Sequence, residues 1–170
     1  DINSALIGAI IEETAGMSLN EYAKQKVFEP LGIKSDVWDF TAFGRANTGG
    51  GLFLSSRDMA KFGQLFLSNG EWEGETLISP MWINQSTNSI VDISDLGSFR
   101  EGYGFQWWIR NFQVASQTIE LYHAEGNGGQ FIYVIPSLDT VVVFTGANYN
   151  RIEMRQPEDL MKRFILPAIH

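Results

Sequence analysis

The stretch of sequence that decides the fold lies near the C-terminus, where residues 130–147 read QFIYVIPSLDTVVVFTGA. It holds two runs rich in β-branched and aromatic residues, 130–135 and 140–147, a composition typical of buried strands. Only residues 136–139 connect the two runs. A connection this short joins antiparallel strands, because parallel strands need a crossover of about a dozen residues or more. The stretch therefore predicts an antiparallel β-hairpin.

Two further runs of the same character, residues 103–112 and 119–123, precede the hairpin and predict additional strands. A closing helix is predicted from Gln156 and Pro157, since proline is favoured in the first turn of a helix. Four apolar residues of this helix are available to pack on the sheet. They are Leu160, Met161, Phe164 and Ile165.

The first hundred residues have helical rather than strand periodicity. Apolar residues recur at helical spacing within residues 2–11, and Gly16 follows as a plausible stop. Ser18 and Glu21 form a capping box, which predicts a second helix that ends before Pro30.

Further along, the pattern dissolves into a long loop at residues 32–51 and becomes helical again after Ser56. Ser79 and Pro80 predict the start of a short helix.

These elements predict an α+β fold, with an antiparallel sheet of three to four strands and flanking helices. We expect a single domain, with a helical region at about residues 1–100 and the sheet and closing helix at about 101–170. The chain opens on Asp1 and enters an apolar segment at once, so we expect it to be the C-terminal portion of a longer protein.

Composition excludes several classes of function. The formal net charge of -8 argues against a nucleic-acid partner, because phosphate binding needs a basic surface. The chain has no cysteine, and its two histidines are His123 and His170, so we expect no metal and no cofactor. No apolar run approaches the roughly 20 residues that span a bilayer, so no transmembrane segment is expected.

Six segments, in this order, carry a family resemblance. They are DINSALIGAIIE at 1–12, TAGMS at 14–18, FEPLGI at 28–33, GGGL at 49–52 followed by SSRDMAKFG at 55–63, YGFQWW at 103–108 and GNGGQ at 126–130. Together they resemble the serine β-lactamase, penicillin-binding-protein and related esterase superfamily, closest to its class C-like branch. The resemblance covers nearly the whole chain.

This resemblance implies that a serine in a Ser-x-x-Lys motif attacks an amide or ester carbonyl. A lysine and the tyrosine of a Tyr-x-Asn motif would move the proton, and backbone amides would stabilise the oxyanion. No serine of the chain is followed three positions later by lysine, so the nucleophile and base are expected upstream. Asp1 would occupy the asparagine position of Tyr-x-Asn, where an ionised carboxylate accepts but cannot donate hydrogen bonds.

The third family motif, commonly Lys-Thr-Gly or His-x-Gly, best aligns with Ala124, Glu125 and Gly126, which lack its usual cation. A shift of one residue would restore a cation as His123 but lose the glycine. In the favoured register, the backbone amide of Asn127 is the candidate second donor of the oxyanion hole. The resemblance also implies that Gly49, Gly50 and Gly51 form part of the cleft wall.

The leading hypothesis is therefore part of a serine hydrolase for a small-molecule or peptide amide, ester or lactam, inactive without its upstream segment. Loss of the motif cation favours a peptidase, esterase or amide hydrolase over a penicillin-specific enzyme. The alternative is a non-catalytic homologue that binds peptides or cell-wall fragments. The resemblance favours a bacterial periplasmic or secreted location, with a cytoplasmic one also open.

Overall fold

The computed structural model describes residues 2–34, 37–96 and 101–169, except for the side chain of Leu96. The chain divides into two compact units, residues 1–58 and 59–170. Its helices are α1 (Ile2–Ala15), α2 (Leu19–Ala23), α3 (Ser56–Leu67), α4 (Pro80–Thr87), α5 (Gln156–Leu160) and α6 (Leu166–Ile169). Its strands are β1 (Val37–Trp38), β2 (Leu52–Phe53), β3 (Glu71–Trp72), β4 (Glu75–Thr76), β5 (Val91–Asp92), β6 (Gly102–Tyr103), β7 (Trp108–Val114), β8 (Gln117–Gly126), β9 (Gln130–Ile135) and β10 (Thr140–Phe144).

The helices of the first unit begin and end where the sequence predicts. Gly16 follows α1 with a φ of 66°, a left-handed conformation that glycine adopts without steric cost. The capping box precedes α2, because the Glu21 carboxylate accepts hydrogen bonds from the backbone and hydroxyl of Ser18. A π-helical turn, Lys24–Phe28, then continues α2 up to the predicted end before Pro30.

The predicted loop at residues 32–51 contains a strand that the sequence analysis missed. β1 pairs antiparallel with β2, and Trp38 lies opposite Leu52. The Trp38 indole donates a hydrogen bond to the carbonyl of Asn47, 2.8 Å away. Because each strand has only two residues, neither shows the alternation on which strand prediction depends.

The second unit is built on a six-stranded antiparallel sheet in the order β10-β9-β8-β7-β6-β5, and the α+β class is confirmed. The four long strands β7–β10 are the predicted ones, and the two-residue strands β6 and β5 extend the sheet beyond the predicted three to four. The strand predicted at 103–112 is interrupted, because Gln106 has a φ of 67°, which extended backbone does not allow. β7 therefore begins only at Trp108.

Helices cover both faces of this sheet. On one face, here called the α3–α4 face, residues of α3 and α4 pack on the sheet: Phe66, Ile83, Trp107, Ile109, Tyr122, Ile132 and Val134 are its buried members. On the other, the α5–α6 face, the closing helical segment packs on the sheet: Phe112, Val114, Ile119, Leu121, Phe131, Tyr133, Ile135, Met161 and Leu166 are its buried members.

The closing helix starts at Gln156 as predicted, but only part of its predicted apolar contact is correct. Met161 is fully buried and Ile165 packs against the same cluster, whereas Leu160 and Phe164 are exposed. The cause is a π-helical turn, Met161–Ile165, which has more residues per turn than an α-helix. The buried stripe therefore follows Met161 to Ile165 and Leu166 rather than the α-helical spacing.

Candidate functional site

The candidate site lies where β8 continues beyond the end of its neighbour β7. The pairing of these two strands ends with Trp108 opposite His123. Residues 124–126 continue β8 and pair with β9, where Gly126 lies opposite Gln130. On its β7 side, the last part of β8 therefore borders an opening in the sheet of the described residues.

The turn after β8 is anchored by hydrogen bonds to Asn150, which lies 23 positions later in the chain. The Asn127 side-chain amide donates to the Asn150 side-chain oxygen at 2.8 Å, and the Asn150 backbone N–H donates to the Asn127 side-chain oxygen at 3.0 Å. Gly128 has a φ of 127°, and a Cβ atom there would lie 3.0 Å from the ring of Tyr149. This turn therefore needs glycine for both its backbone conformation and its close packing.

The backbone N–H of Asn127 is the predicted oxyanion donor, and the geometry leaves it available. In the described part of the chain, it donates no hydrogen bond to any other group. The two side-chain bonds to Asn150 fix the residue while leaving that N–H uncommitted. An uncommitted and fixed backbone donor is the kind of group that stabilises a developing negative charge.

His123 and Glu125 point to the α5–α6 face, two residues apart on the same strand. The His123 ring is fully buried, and its Nε2 lies 3.3 Å from a Glu125 carboxylate oxygen. The rings of Phe131 and Tyr133 lie against it, with centroids 5.7 and 5.2 Å away. Ala124 points to the opposite face and packs against the aromatic cluster there.

A buried charged cluster on the same face was missed by the sequence analysis. Glu158 of α5 forms an ion pair with Arg110 of β7 at 3.0 Å and accepts a hydrogen bond from Arg155 at 2.7 Å. The hydroxyl of Tyr133 is buried nearby and, among the described residues, has no hydrogen-bond partner. Burial, followed by the charge of Glu158, raises the pKa of Tyr133 well above its usual range. In the sequence, this cluster is indicated only by Arg110, a charged residue within the alternating pattern of β7.

Asp1 and the three glycines Gly49, Gly50 and Gly51 are the other predicted site residues, and their predicted roles in the cleft stay predictions. Asp1 lies outside the described residues, so its predicted role stays a prediction. Gly49, Gly50 and Gly51 belong to the first unit, where the Gly49 N–H donates to the side chain of Asn47 at 3.1 Å. A Cβ atom on Gly51 would lie 2.8 Å from that of Asp39, so the chain needs glycine there for a close approach.

The described residues contain neither a cluster of metal-ligating side chains nor a helix that could span a membrane. In the ranges 2–34, 37–96 and 101–169, no three acidic or histidine side chains gather as they do around a metal ion. Within the same ranges, every helix is too short or too polar to cross a bilayer.

Solved structures place this architecture in one fold group. A protein from Bacillus anthracis assigned to the 6-aminohexanoate-dimer hydrolases superposes with a TM-score of 0.75 at 22% identity, over 96% of this chain and 41% of that one. An octameric penicillin-binding protein homologue from Pyrococcus abyssi superposes with a TM-score of 0.64 at 23% identity, over 93% and 41%. The fold is that of the β-lactamase and penicillin-binding-protein group.

The chain belongs to the Beta-lactamase family, whose model matches residues 1–153. A 6-aminohexanoate-dimer hydrolase from Paenarthrobacter ureafaciens is 27% identical over 150 residues, which cover 83% of this chain and 36% of that protein. The family and this relative are hydrolases of the β-lactamase-like kind. The chain thus spans 36% to 41% of the lengths of these three proteins.

Proposed function

We propose that this chain supplies one wall of the active site of a serine hydrolase, which cleaves an amide, ester or lactam through an acyl-enzyme. The observation that carries the proposal is the end of β8, which passes the end of β7 and presents the fixed N–H of Asn127. The nucleophilic serine and its base are provided by a segment upstream of residue 1, since the chain has no Ser-x-x-Lys sequence.

In this mechanism, the upstream serine attacks the substrate carbonyl, whose oxygen becomes an anion. The N–H of Asn127 donates to that oxygen, and Asn150 keeps the turn from moving as the charge develops. A donor that is already oriented adds little reorganisation cost, so it acts mainly on the transition state. His123 and Glu125 lie beneath this strand end and position it.

The substrate that this wall favours is not a carboxylate such as penicillin. The third motif has Ala124 in place of the usual cation, so this position offers no positive charge to a substrate. An anionic substrate would therefore gain no attraction from the motif. A neutral or amine-bearing amide or ester suits the site better.

The test treats the full-length protein with a serine-reactive fluorophosphonate and measures its intact mass. A stable adduct that maps upstream of residue 1 is expected, and the isolated 170-residue chain should gain no mass. A folded full-length protein that gains no adduct would refute the proposal and favour the alternative, a non-catalytic peptide-binding homologue. The absent motif cation is the observation that favours this alternative.

A matched pair of variants tests the role of the turn. Asn127→Ala removes both side-chain bonds to Asn150, and we expect acylation to slow by about 10- to 100-fold because the donor is displaced. Asn111→Ala, an exposed asparagine of β7, should leave the rate unchanged. Equal rates in the two variants would show that the side-chain bonds between Asn127 and Asn150 do not position the donor for the reaction.

A further inference from the structure

The strand end that presents the N–H of Asn127 is paired on one side only. Within the described ranges, the pairing of β8 with β7 stops at His123, so residues 124–126 are paired with β9 alone. A strand end with few backbone hydrogen bonds opens easily unless other contacts hold it. The position of the proposed oxyanion donor therefore depends on contacts from the β9 side.

The segment at residues 146–150 supplies such contacts along the turn. Its Asn150 binds the tip of the turn, as described above. Further down, the N–H of Asn148 donates to the carbonyl of Gly128 at 3.0 Å. At Gly146 the two backbones come so close that a Cβ atom there would lie 2.6 Å from the carbonyl oxygen of Gly128. The turn and this segment are therefore packed as one unit.

Gln130, the first residue of β9, fastens the base of the turn to the same segment. Its side-chain amide donates a hydrogen bond to the carbonyl of Gly146, 16 positions later. A Cβ atom on Gly126 would lie 2.7 Å from the oxygen of this amide, and one on Gly128 would lie 2.7 Å from its nitrogen. The amide of Gln130 therefore occupies the space that these two glycines leave.

The hydrogen bond to Gly146 needs a donor on residue 130. A carbonyl oxygen only accepts hydrogen bonds, so an amide N–H satisfies it and an ionised carboxylate does not. Gln130 and Gly146 are both half-buried, which limits the water that could replace a lost donor. Glutamine therefore provides a contact here that neither an ionised glutamate nor an apolar side chain of similar size can provide.

We propose that Gln130 is a positioning residue for acylation, which fixes the direction of the Asn127 N–H through its bond to Gly146. This inference rests on the proposed function. Asn150 holds the tip of the turn and Gln130 holds its base, so both are needed to keep the donor oriented. A displacement of about 1 Å in a catalytic group can slow a reaction by about 100-fold. Loss of Gln130 should therefore slow acylation without weakening the binding that precedes it.

The experiment measures fluorophosphonate acylation of the full-length protein over a range of reagent concentrations, which separates the limiting rate from the affinity. Gln130→Glu and Gln130→Met should both acylate about tenfold more slowly, with unchanged affinity. The matched control is Gln113→Glu, since Gln113 makes the same kind of side-chain bond, to Thr118, at the far end of β8. Its rate should equal that of the wild type. A wild-type rate in both Gln130 variants would overturn the proposal.

A pH profile separates a missing donor from a general loosening of the turn. A protonated carboxyl group regains an O–H donor, and the pKa of glutamate, about 4.3 in water, rises on burial. The rate of Gln130→Glu relative to the wild type should therefore increase as the pH falls from about 8 to about 5. The same ratio should stay constant for Gln130→Met. A constant ratio in both variants would refute the assigned hydrogen bond.

Hydrogen exchange tests the anchoring without any reaction. In full-length Gln130→Met, the amides of residues 124–130 should exchange about tenfold faster than in the wild type, and those of residues 113–118 should be unchanged. Unchanged exchange at 124–130 would show that Gln130 does not anchor the turn. Faster exchange with a wild-type acylation rate would overturn its positioning role alone. A wild-type protein that gains no adduct would refute the proposed function, and this role with it.

Discussion

The two faces of the main sheet differ in how they treat charged groups. The α3–α4 face is closed by aromatic contacts, with Trp107 at 4.6 Å from Phe66 and 5.2 Å from Tyr122 between ring centroids. The α5–α6 face has a similar apolar cluster but also buries His123 and Glu158. One face therefore contributes mainly stability, while the other buries polar groups beneath the candidate site at a cost in hydration.

That cost has a physical origin. A charged group loses its hydration when it is buried, and a partner repays this only when the geometry is good. Glu158 forms ion pairs with Arg110 and Arg155, at 3.0 and 2.7 Å, and Arg155 also donates a hydrogen bond to it. We therefore expect the polar network to specify the packing of α5 against β7 more than it adds to stability.

The largest expected effect on stability is on the α3–α4 face. Trp107→Ala should lower the free energy of unfolding by about 4 kcal/mol, because its ring is 4% exposed and its loss leaves a cavity. Urea denaturation followed by circular dichroism measures this. Trp82→Ala, at a residue that is 45% exposed, is the control and should cost much less. Equal losses of unfolding free energy in the two variants would show that burial of the ring does not determine the effect.

The next effect is on the α5–α6 face. Glu158→Ala should lower the free energy of unfolding by about 3 kcal/mol, because it removes the carboxylate that faces the buried charge of Arg110. Glu158→Leu combined with Arg110→Met should recover most of that loss, since an apolar pair of similar volume needs no hydration. Denaturation curves of both variants provide the measurement. A double variant as unstable as the single one would show that the network itself stabilises the fold.

A smaller effect with the opposite sign is expected at Tyr133. Tyr133→Phe should leave the stability at neutral pH unchanged or raise it by about 1 kcal/mol, because a buried hydroxyl without a described partner is removed. Tyr103→Phe, a partly buried tyrosine near the edge of the sheet, serves as the control. A clear loss of stability in Tyr133→Phe would mean that the hydroxyl makes a stabilising contact.

The remaining effect appears only at alkaline pH. Burial raises the pKa of Tyr122 to about 12 and that of Tyr133 further in the same direction. A folded-state pKa above the unfolded value of about 10 means that the unfolded chain loses protons first. The contribution of these two tyrosines to stability should therefore be constant below about pH 10 and fall above it. The fall should be shallower in Tyr133→Phe, and an identical slope would contradict this assignment.

Local signals in the sequence predicted most of the fold. The capping box at Ser18, the N-cap at Ser79 and the connection at 136–139 each act within a few residues, so a single sequence contains what they need. Ser79 indeed accepts a hydrogen bond from the backbone of Trp82 at 3.2 Å. The two-residue strands β1, β2, β5 and β6 could not be predicted, because their pairing depends on partners elsewhere in the chain.

The candidate site could be predicted only in part, for the same reason. The stretch from Ala124 to Asn127 was identified by its resemblance to a family motif. The hydrogen bonds between Asn127 and Asn150 join residues 23 positions apart, so no local sequence pattern predicts them. The ion pair of Arg110 with Glu158 joins a strand to a later helix, and it could not be predicted from the sequence for the same reason.

The outer strand of the sheet has a consequence for handling the protein. β10 reads Thr-Val-Val-Val-Phe and pairs with β9 on one side, while on its other side no strand of the described residues follows. It contains none of the charged or proline residues by which natural edges discourage pairing with another molecule. Concentrated preparations of the isolated chain should therefore form intermolecular β-structure.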